Sequence, residues 1–205
     1  CYNGKNAGRQ ERKSGRMEIR FAREEDSSQL LDIYGQYIET TVTFEYELPT
    51  AEEFAGRIRD ISREYPYLVC EEGNRAVGYA YAHKPFERAA YQWDAELSIY
   101  LDRDHRSSGL GSRLYGILME ILKLQGVRTV YGCVTIPNPG SERLHERMGF
   151  ERIGAFHNTG YKNGKWLDVV WYEKQIAPYD VEPKPVIPVG EIGEDRLEEI
   201  IRAGR

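Results

Sequence analysis

Cysteine is scarce in this chain: 205 residues include three, Cys1, Cys70 and Cys133. An odd number at such wide spacing excludes a disulfide framework and a clustered zinc site. Cys70 and Cys133 each stand inside an apolar run, which reads as a buried, reduced thiol. Long hydrophobic runs are absent as well, and none approaches the ~18 residues that a membrane span needs. Nor is positive charge in excess. Lys and Arg number 28 against 33 Asp and Glu, a net charge of -5, and no basic stripe offsets it, which argues against a duplex nucleic acid partner. The segment Cys1 to Arg16 is basic but has no apolar stretch of the kind a secretory signal needs, and it reads as a flexible arm. Hydrophobic residues at 40% and aromatics at 12% are ample, and the length suits one domain with a sizeable core. A cytoplasmic single-domain protein without a membrane anchor is expected.

Along the chain, apolar periodicity switches between two and 3.6 residues. Met17–Phe21 reads as a strand, and a helix follows from about Asp26 with Leu30, Ile33, Tyr34 and Tyr37 on one stripe. Thr50-Ala-Glu-Glu53 is a capping box that opens a second helix to about Tyr65. Tyr67–Glu71 and Ala76–His83 form a hairpin about Gly73 and Asn74, and Trp93–Leu101 alternates as a further strand. A third helix is expected over Ser108–Gln125. The nearly all-apolar Thr129–Val134 predicts a strand buried on both faces. A short helix over Ser141–Met148 stops at Gly149, and strands over Glu151–Asn158 and Trp166–Gln175 complete a mixed α/β sheet with helices on its faces. Ala177 to Gly193 contains four prolines and reads as an extended linker. Glu194–Ala203, with Leu197, Ile200 and Ile201 at helical spacing, is a short amphipathic helix that docks on the body or on a partner. The division is an arm over 1–16, a domain over 17–176 and a tail over 177–205.

Between a strand and a helix lies Arg106-Ser107-Ser108-Gly109-Leu110-Gly111-Ser112. Its glycines let a backbone approach a ligand without a Cβ in the way, and the open N–H groups of the following helix attract an anion such as a pyrophosphate. Taken alone, the stretch is equally an ordinary glycine-rich turn; it matches neither the dinucleotide GxGxxG pattern nor a GxxxxGK[ST] loop. About thirty residues on comes Asn138-Pro-Gly-Ser141-Glu-Arg-Leu-His145-Glu-Arg-Met-Gly149-Phe150. The two motifs, in this order, resemble the GNAT superfamily of acyl-CoA-dependent N-acetyltransferases. A closer resemblance runs over most of 17–176. Tyr37 to Glu45, Pro49-Thr50, Glu96 within Trp93-Asp-Ala-Glu-Leu-Ser-Ile-Tyr, His105 to Gly111, Leu144-His145-Glu and Gly160 to Asp168 are similar to the phosphinothricin N-acetyltransferase branch, whose members acetylate phosphinothricin, methionine sulfoximine or methionine sulfone.

The resemblance implies the GNAT fold, a mixed and mostly antiparallel sheet of about seven strands flanked by about four helices. It implies acetyl-CoA as cosubstrate and a direct transfer to the α-amine of a small amino acid in a ternary complex, with a homodimer as the assembly. It implies Glu96 as general base, directly or through water, and His145 as acid, base or proton relay, at a position where the wider superfamily often has Tyr. Backbone N–H groups around Ile99, Tyr100 and Leu101 would meet the oxyanion and the pantetheine arm, and Asn138 and Ser141 would contact the coenzyme. The loop Arg106, Ser107, Ser108, Gly109, Leu110, Gly111 and Ser112 would hold its pyrophosphate. An amino-acid carboxylate calls for a cation, for which Arg88 is the candidate, and Phe44, Glu45, Lys162 and Trp166 would shape the pocket. None of the four histidines stands at ligand spacing with other donors, so no metal is expected. The alternatives are another amine acceptor, such as a peptide N-terminus or an antibiotic, or a non-catalytic CoA-binding module.

Overall fold

A computed structural model describes residues 17–179 and 182–204; the arm expected over 1–16 lies outside the described residues. The strands are β1 (Met17–Phe21), β2 (Tyr67–Glu72), β3 (Arg75–His83), β4 (Asp94–Leu101), β5 (Thr129–Ile136), β6 (Glu151–Lys162) and β7 (Lys165–Gln175). The helices are α1 (Ser27–Ile38), α2 (Ala51–Ser62), α3 (Leu110–Gln125), α4 (Pro139–Arg147) and α5 (Glu194–Ala203): the four expected in the domain and the one expected in the tail. One seven-stranded sheet runs β1-β2-β3-β4-β5-β7-β6. Every pairing is antiparallel except β4 with β5.

Alternate residues of β2 enter two different cores, which is why the strand has almost no polar face. Leu68 and Cys70 join α3 in the larger core, whereas Tyr67 and Val69 join Leu30, Ile33 and Phe54 of α1 and α2 in the smaller one. The capping box forms as read: Thr50 Oγ1 accepts from the Glu53 N–H at 3.2 Å, and Glu53 Oε2 accepts from the Thr50 N–H at 2.8 Å. The helix it opens ends at Ser62 rather than Tyr65, in a tighter last turn where the Glu64 N–H donates to the Ile61 carbonyl at 3.1 Å. Helix α3 begins at Leu110 rather than Ser108, since Ser107 (φ +62°) and Gly109 (φ +85°) hold left-handed conformations that a helix excludes.

Two further readings are corrected. The strand over Thr129–Val134 is not buried on both faces: its Val130 and Val134 face the core, but Cys133 is exposed. The helices that cover the other face pack on β2, β3 and the end of β4 and do not reach β5, so apolar composition over-predicted burial here. The proline-rich tail is a strap rather than a free linker. Trp93 Nε1 donates to the Lys184 carbonyl at 2.9 Å, the Ile187 N–H to Gln125 at 3.0 Å and the Val189 N–H to Glu64 at 3.0 Å. Helix α5 then docks on the body against α3, where Arg113 Nε donates to the Gly204 carbonyl at 3.1 Å. Among the described residues, no helix is long and apolar enough to cross a membrane.

Candidate active site

The parallel pairing of β4 with β5 stops at Glu96 opposite Tyr131, and beyond it the sheet forks. The Asp102 N–H donates to the Val77 carbonyl of β3 at 2.9 Å, so even-numbered residues turn their backbone toward β3 and odd-numbered ones toward the fork. Two fork-facing carbonyls find substitutes for a strand partner. Tyr115 of α3 donates its hydroxyl to Leu97 at 3.4 Å, and Tyr37 of α1 donates to Leu101. Burial holds the Tyr115 hydroxyl far above the usual phenol range, so it remains a donor. Ile99 lies between these two, and its N–H and C=O face the opening. The fork widens into a cleft of about 580 Å³.

One bank of the cleft is the loop before α3. Arg106, Ser107, Gly109, Gly111 and Ser112 line it, at the positive end of the α3 dipole. Gly111 fits between Ile99 and Leu144, whose side chains a Cβ there would meet at 3.4–3.5 Å. The Arg106 guanidinium lies 4.9 Å from the Tyr37 ring centroid, with its Nε donating to the Tyr37 hydroxyl at 3.3 Å. Two residues of the expected loop turn their side chains elsewhere, which leaves to them only the backbone role read from the sequence. Ser108 donates its hydroxyl to the His105 carbonyl at 2.7 Å, and the Leu110 side chain is buried in the larger core. The loop is anchored from behind by His105, whose ring nitrogens lie 3.1 Å from Asp102 and 3.2 Å from Glu72. Burial alone would raise the Asp102 carboxyl, but hydrogen bonds from Gln36, His105 and the Asp104 N–H, with the charge of Arg75, hold it below the usual range.

The other bank is α4. Asn138 caps it, its Oδ1 accepting from the Ser141 N–H at 3.3 Å. His145 is 2% exposed and stacks on Tyr172 at 5.0 Å. Its Nδ1 lies 2.9 Å from the Ser141 carbonyl, which can only accept, so the proton is on Nδ1 and Nε2 carries a lone pair. Burial lowers its pKa, outweighing that hydrogen bond, and Nε2 has no partner. The ring sits where a side chain at position 132 would be, which is why β5 has Gly132. His145 is thus a neutral, packed imidazole with no proton on Nε2 to give a leaving thiolate. Sequence reasoning missed Arg143 and Arg147, which also line the cleft; their spacing of four within an expected helix was the available signal.

Glu96 projects from the opposite face of the sheet to His145. The face opposite Ala95 and Leu97 carries Glu96, Tyr131, Cys133 and Trp171. Burial raises the Glu96 carboxyl, with His83, 3.9 Å away, opposing. Cys133 lines the cleft, and partial desolvation, then Glu96, pushes its thiol up to about 12. Phe86, in the loop after β3, packs edge-on toward Tyr131 at 6.3 Å; Arg88, two residues on in the same loop, is exposed and has no side-chain partner among the described residues. Phe44 rests on Gly160, and Glu45 pairs with Arg57 at 2.7 Å. Lys162 is buried and donates to the carbonyls of Ile38, Thr43 and Glu45, each at 2.7 Å. All three ammonium protons are committed, so it tethers the loop carrying Phe44 and Glu45 and has none for a ligand. Trp166 is 62% exposed against Tyr161 at the β6–β7 turn, away from the cleft lining.

A forked parallel pair with a glycine loop on one bank is the arrangement that the resemblance to acyl-CoA-dependent N-acetyltransferases implied, and comparison with known proteins agrees with that family. The model of the acetyltransferase (GNAT) domain matches residues 19–171. The chain therefore belongs to the GNAT acetyltransferase family. It is 37% identical over 177 residues to a phosphinothricin N-acetyltransferase of Streptomyces viridochromogenes, covering 86% of this chain and 96% of that protein. It is 32% identical over 165 residues to an L-methionine sulfoximine/L-methionine sulfone acetyltransferase of Pseudomonas aeruginosa, covering 78% and 95%. Among solved structures, a phosphinothricin acetyltransferase from Sinorhizobium meliloti in complex with AcCoA superposes with a TM-score of 0.77 at 31% identity, covering 83% of this chain and 93% of that one.

Proposed function

We propose that this protein transfers the acetyl group of acetyl-CoA to the α-amine of a small amino acid or analogue of the phosphinothricin or methionine sulfoximine type, directly in a ternary complex. The observation that carries the reading is the fork: an unpaired strand edge at Ile99, open to the cleft immediately beyond a desolvated carboxylate at Glu96. A pantetheine arm, with amide groups of its own, fits beside that edge, and an anion fits the α3 N-terminus and Arg106. Among the described residues the cleft lining contains no Asp or Glu side chain, Glu96 standing beside it on the opposite face of β4, which suits a polyanionic coenzyme in a chain of net charge -5.

Within this reading the Ile99 N–H steadies the developing oxyanion, and Glu96 takes the ammonium proton directly or through one water. Its raised pKa brings it nearer that of the amine. Arg88 receives the substrate carboxylate, while Phe86 and Tyr131 wall the side-chain pocket. Cys133 carries no acetyl group, because a thiol at about 12 is almost wholly protonated at neutral pH. The edge strand β6 exposes Ile153, Phe156 and Tyr161 next to Trp166, and this apolar strip supports a homodimer.

The test is CoA thiol release against phosphinothricin, methionine sulfoximine, methionine sulfone and the common amino acids. Saturable turnover on a sulfoximine or phosphinothricin is expected. Binding of acetyl-CoA without turnover on any of them would refute the acceptor class.

A further inference from the structure

We propose that Arg143 and Arg147 form a separate anion clamp that holds the 3′-phosphate of coenzyme A and makes the enzyme selective for CoA over dephospho-CoA. The inference rests on the CoA reading above and names two residues that the motif left unassigned. The two arginines are one turn apart on α4, and both line the cleft. Their guanidinium groups are exposed and make no hydrogen bond or ion pair among the described residues. Glu142 and Glu146 lie on the same helix but do not line the cleft, and neither pairs with these arginines; Glu142 instead accepts the Asn138 N–H at 2.9 Å.

Cationic groups therefore stand on both banks. The α3 N-terminus and Arg106 occupy one; Arg143 and Arg147, on an element that follows β5, occupy the other. A single diphosphate needs only the first set, because the open N–H groups of a helix start with one guanidinium suffice for it. A pair of unneutralised guanidinium groups across the opening calls for a second anion on the same ligand. Coenzyme A has one, the phosphate on its ribose, and a guanidinium fork matches its oxygens with paired hydrogen bonds. Two surface arginines left without carboxylate partners in an acidic protein would otherwise have little reason to converge on one cleft.

The experiment is calorimetric titration of the full chain with CoA and with dephospho-CoA, for the parent protein, Arg143→Gln/Arg147→Gln and Arg143→Lys/Arg147→Lys. The parent is expected to favour CoA by ~10–100-fold, two charge-assisted contacts being at stake. The double Gln variant should lose most of that preference by weakening CoA alone, with dephospho-CoA affinity held within about twofold; the double Lys variant, which keeps charge but not the fork, should fall between. Equal weakening of both ligands would overturn the proposal and assign the arginines to the diphosphate. No change in either would overturn it as well. A parent protein that binds neither ligand would refute the CoA reading itself, and with it this one. Thermal midpoints that match across the variants exclude misfolding as the cause.

Discussion

On the α3–α4 side of the fork, ligand-facing groups are mostly backbone, supplied by a loop and a strand edge and backed by arginines. On the Glu96 side, the groups that the proposed function assigns to the acceptor are side chains drawn from four distant places: Glu96 on β4, Phe86 and Arg88 after β3, Tyr131 and Cys133 on β5, and the loop of Phe44 and Glu45 that Lys162 tethers. The first side is built to hold one ligand by features common to every peptide bond, so it tolerates little change in backbone conformation. The second can be retuned residue by residue while the fork stays intact. A family that keeps its donor and varies its acceptor needs this separation.

The comparison is broken most sharply at Glu96. Glu96→Gln should lower kcat by about 10²–10⁴, the usual reach of general-base catalysis, with little change in acetyl-CoA affinity. In the parent, kcat/KM should fall as pH drops through the raised Glu96 pKa, and that limb should vanish in the variant. Stability should move the other way. Because the folded pKa is raised, the folded state binds more protons than the unfolded chain between the ordinary and the raised value, so the ionised carboxylate destabilises increasingly as pH rises through that window. Glu96→Gln should therefore raise Tm at pH 8 by ~1–3 °C, with the gain gone near pH 4. A lower Tm at pH 8 would contradict the desolvation argument.

The donor side is probed by Gly109→Val. A β-branched residue is strained at φ +85°, so acetyl-CoA should bind about tenfold to a hundredfold more weakly, by calorimetry, while acceptor KM at saturating acetyl-CoA holds. Lys162→Met is the acceptor-side counterpart. Three carbonyls lose their donor, which should cost about 2–3 kcal/mol of stability in denaturant titration and raise acceptor KM several-fold with acetyl-CoA binding unchanged. Cys133→Ser should be the mildest, altering kcat by less than about twofold, since a protonated thiol takes no part. A detectable acetyl-cysteine in the parent protein would overturn the direct-transfer mechanism.

Much of the donor side is legible in the amino-acid sequence alone. The loop from Arg106 to Ser112 is contiguous, and its glycines state their own backbone requirement, so residue type and spacing suffice to locate it. Within it, the side chains of Ser108 and Leu110 turn away from the cleft, because a loop with two left-handed residues does not present successive side chains to one side. The acceptor side is less legible. Lys162 reads as a pocket residue, and only the carbonyls gathered around it reveal a tether.

By itself, then, the sequence determined the elements, since period, caps and turn residues act over a few positions and need no distant partner. It also determined the glycine loop and the carboxylate on the strand before it. Tertiary structure decided where β4 and β5 part, that Glu96 and His145 lie on opposite faces, that Cys133 is exposed, and that Arg143 and Arg147 meet the loop of Arg106 across one cleft. Those relations depend on which strands pair and where pairing stops. Sheet register is a contact between segments tens of residues apart, and no local pattern encodes it.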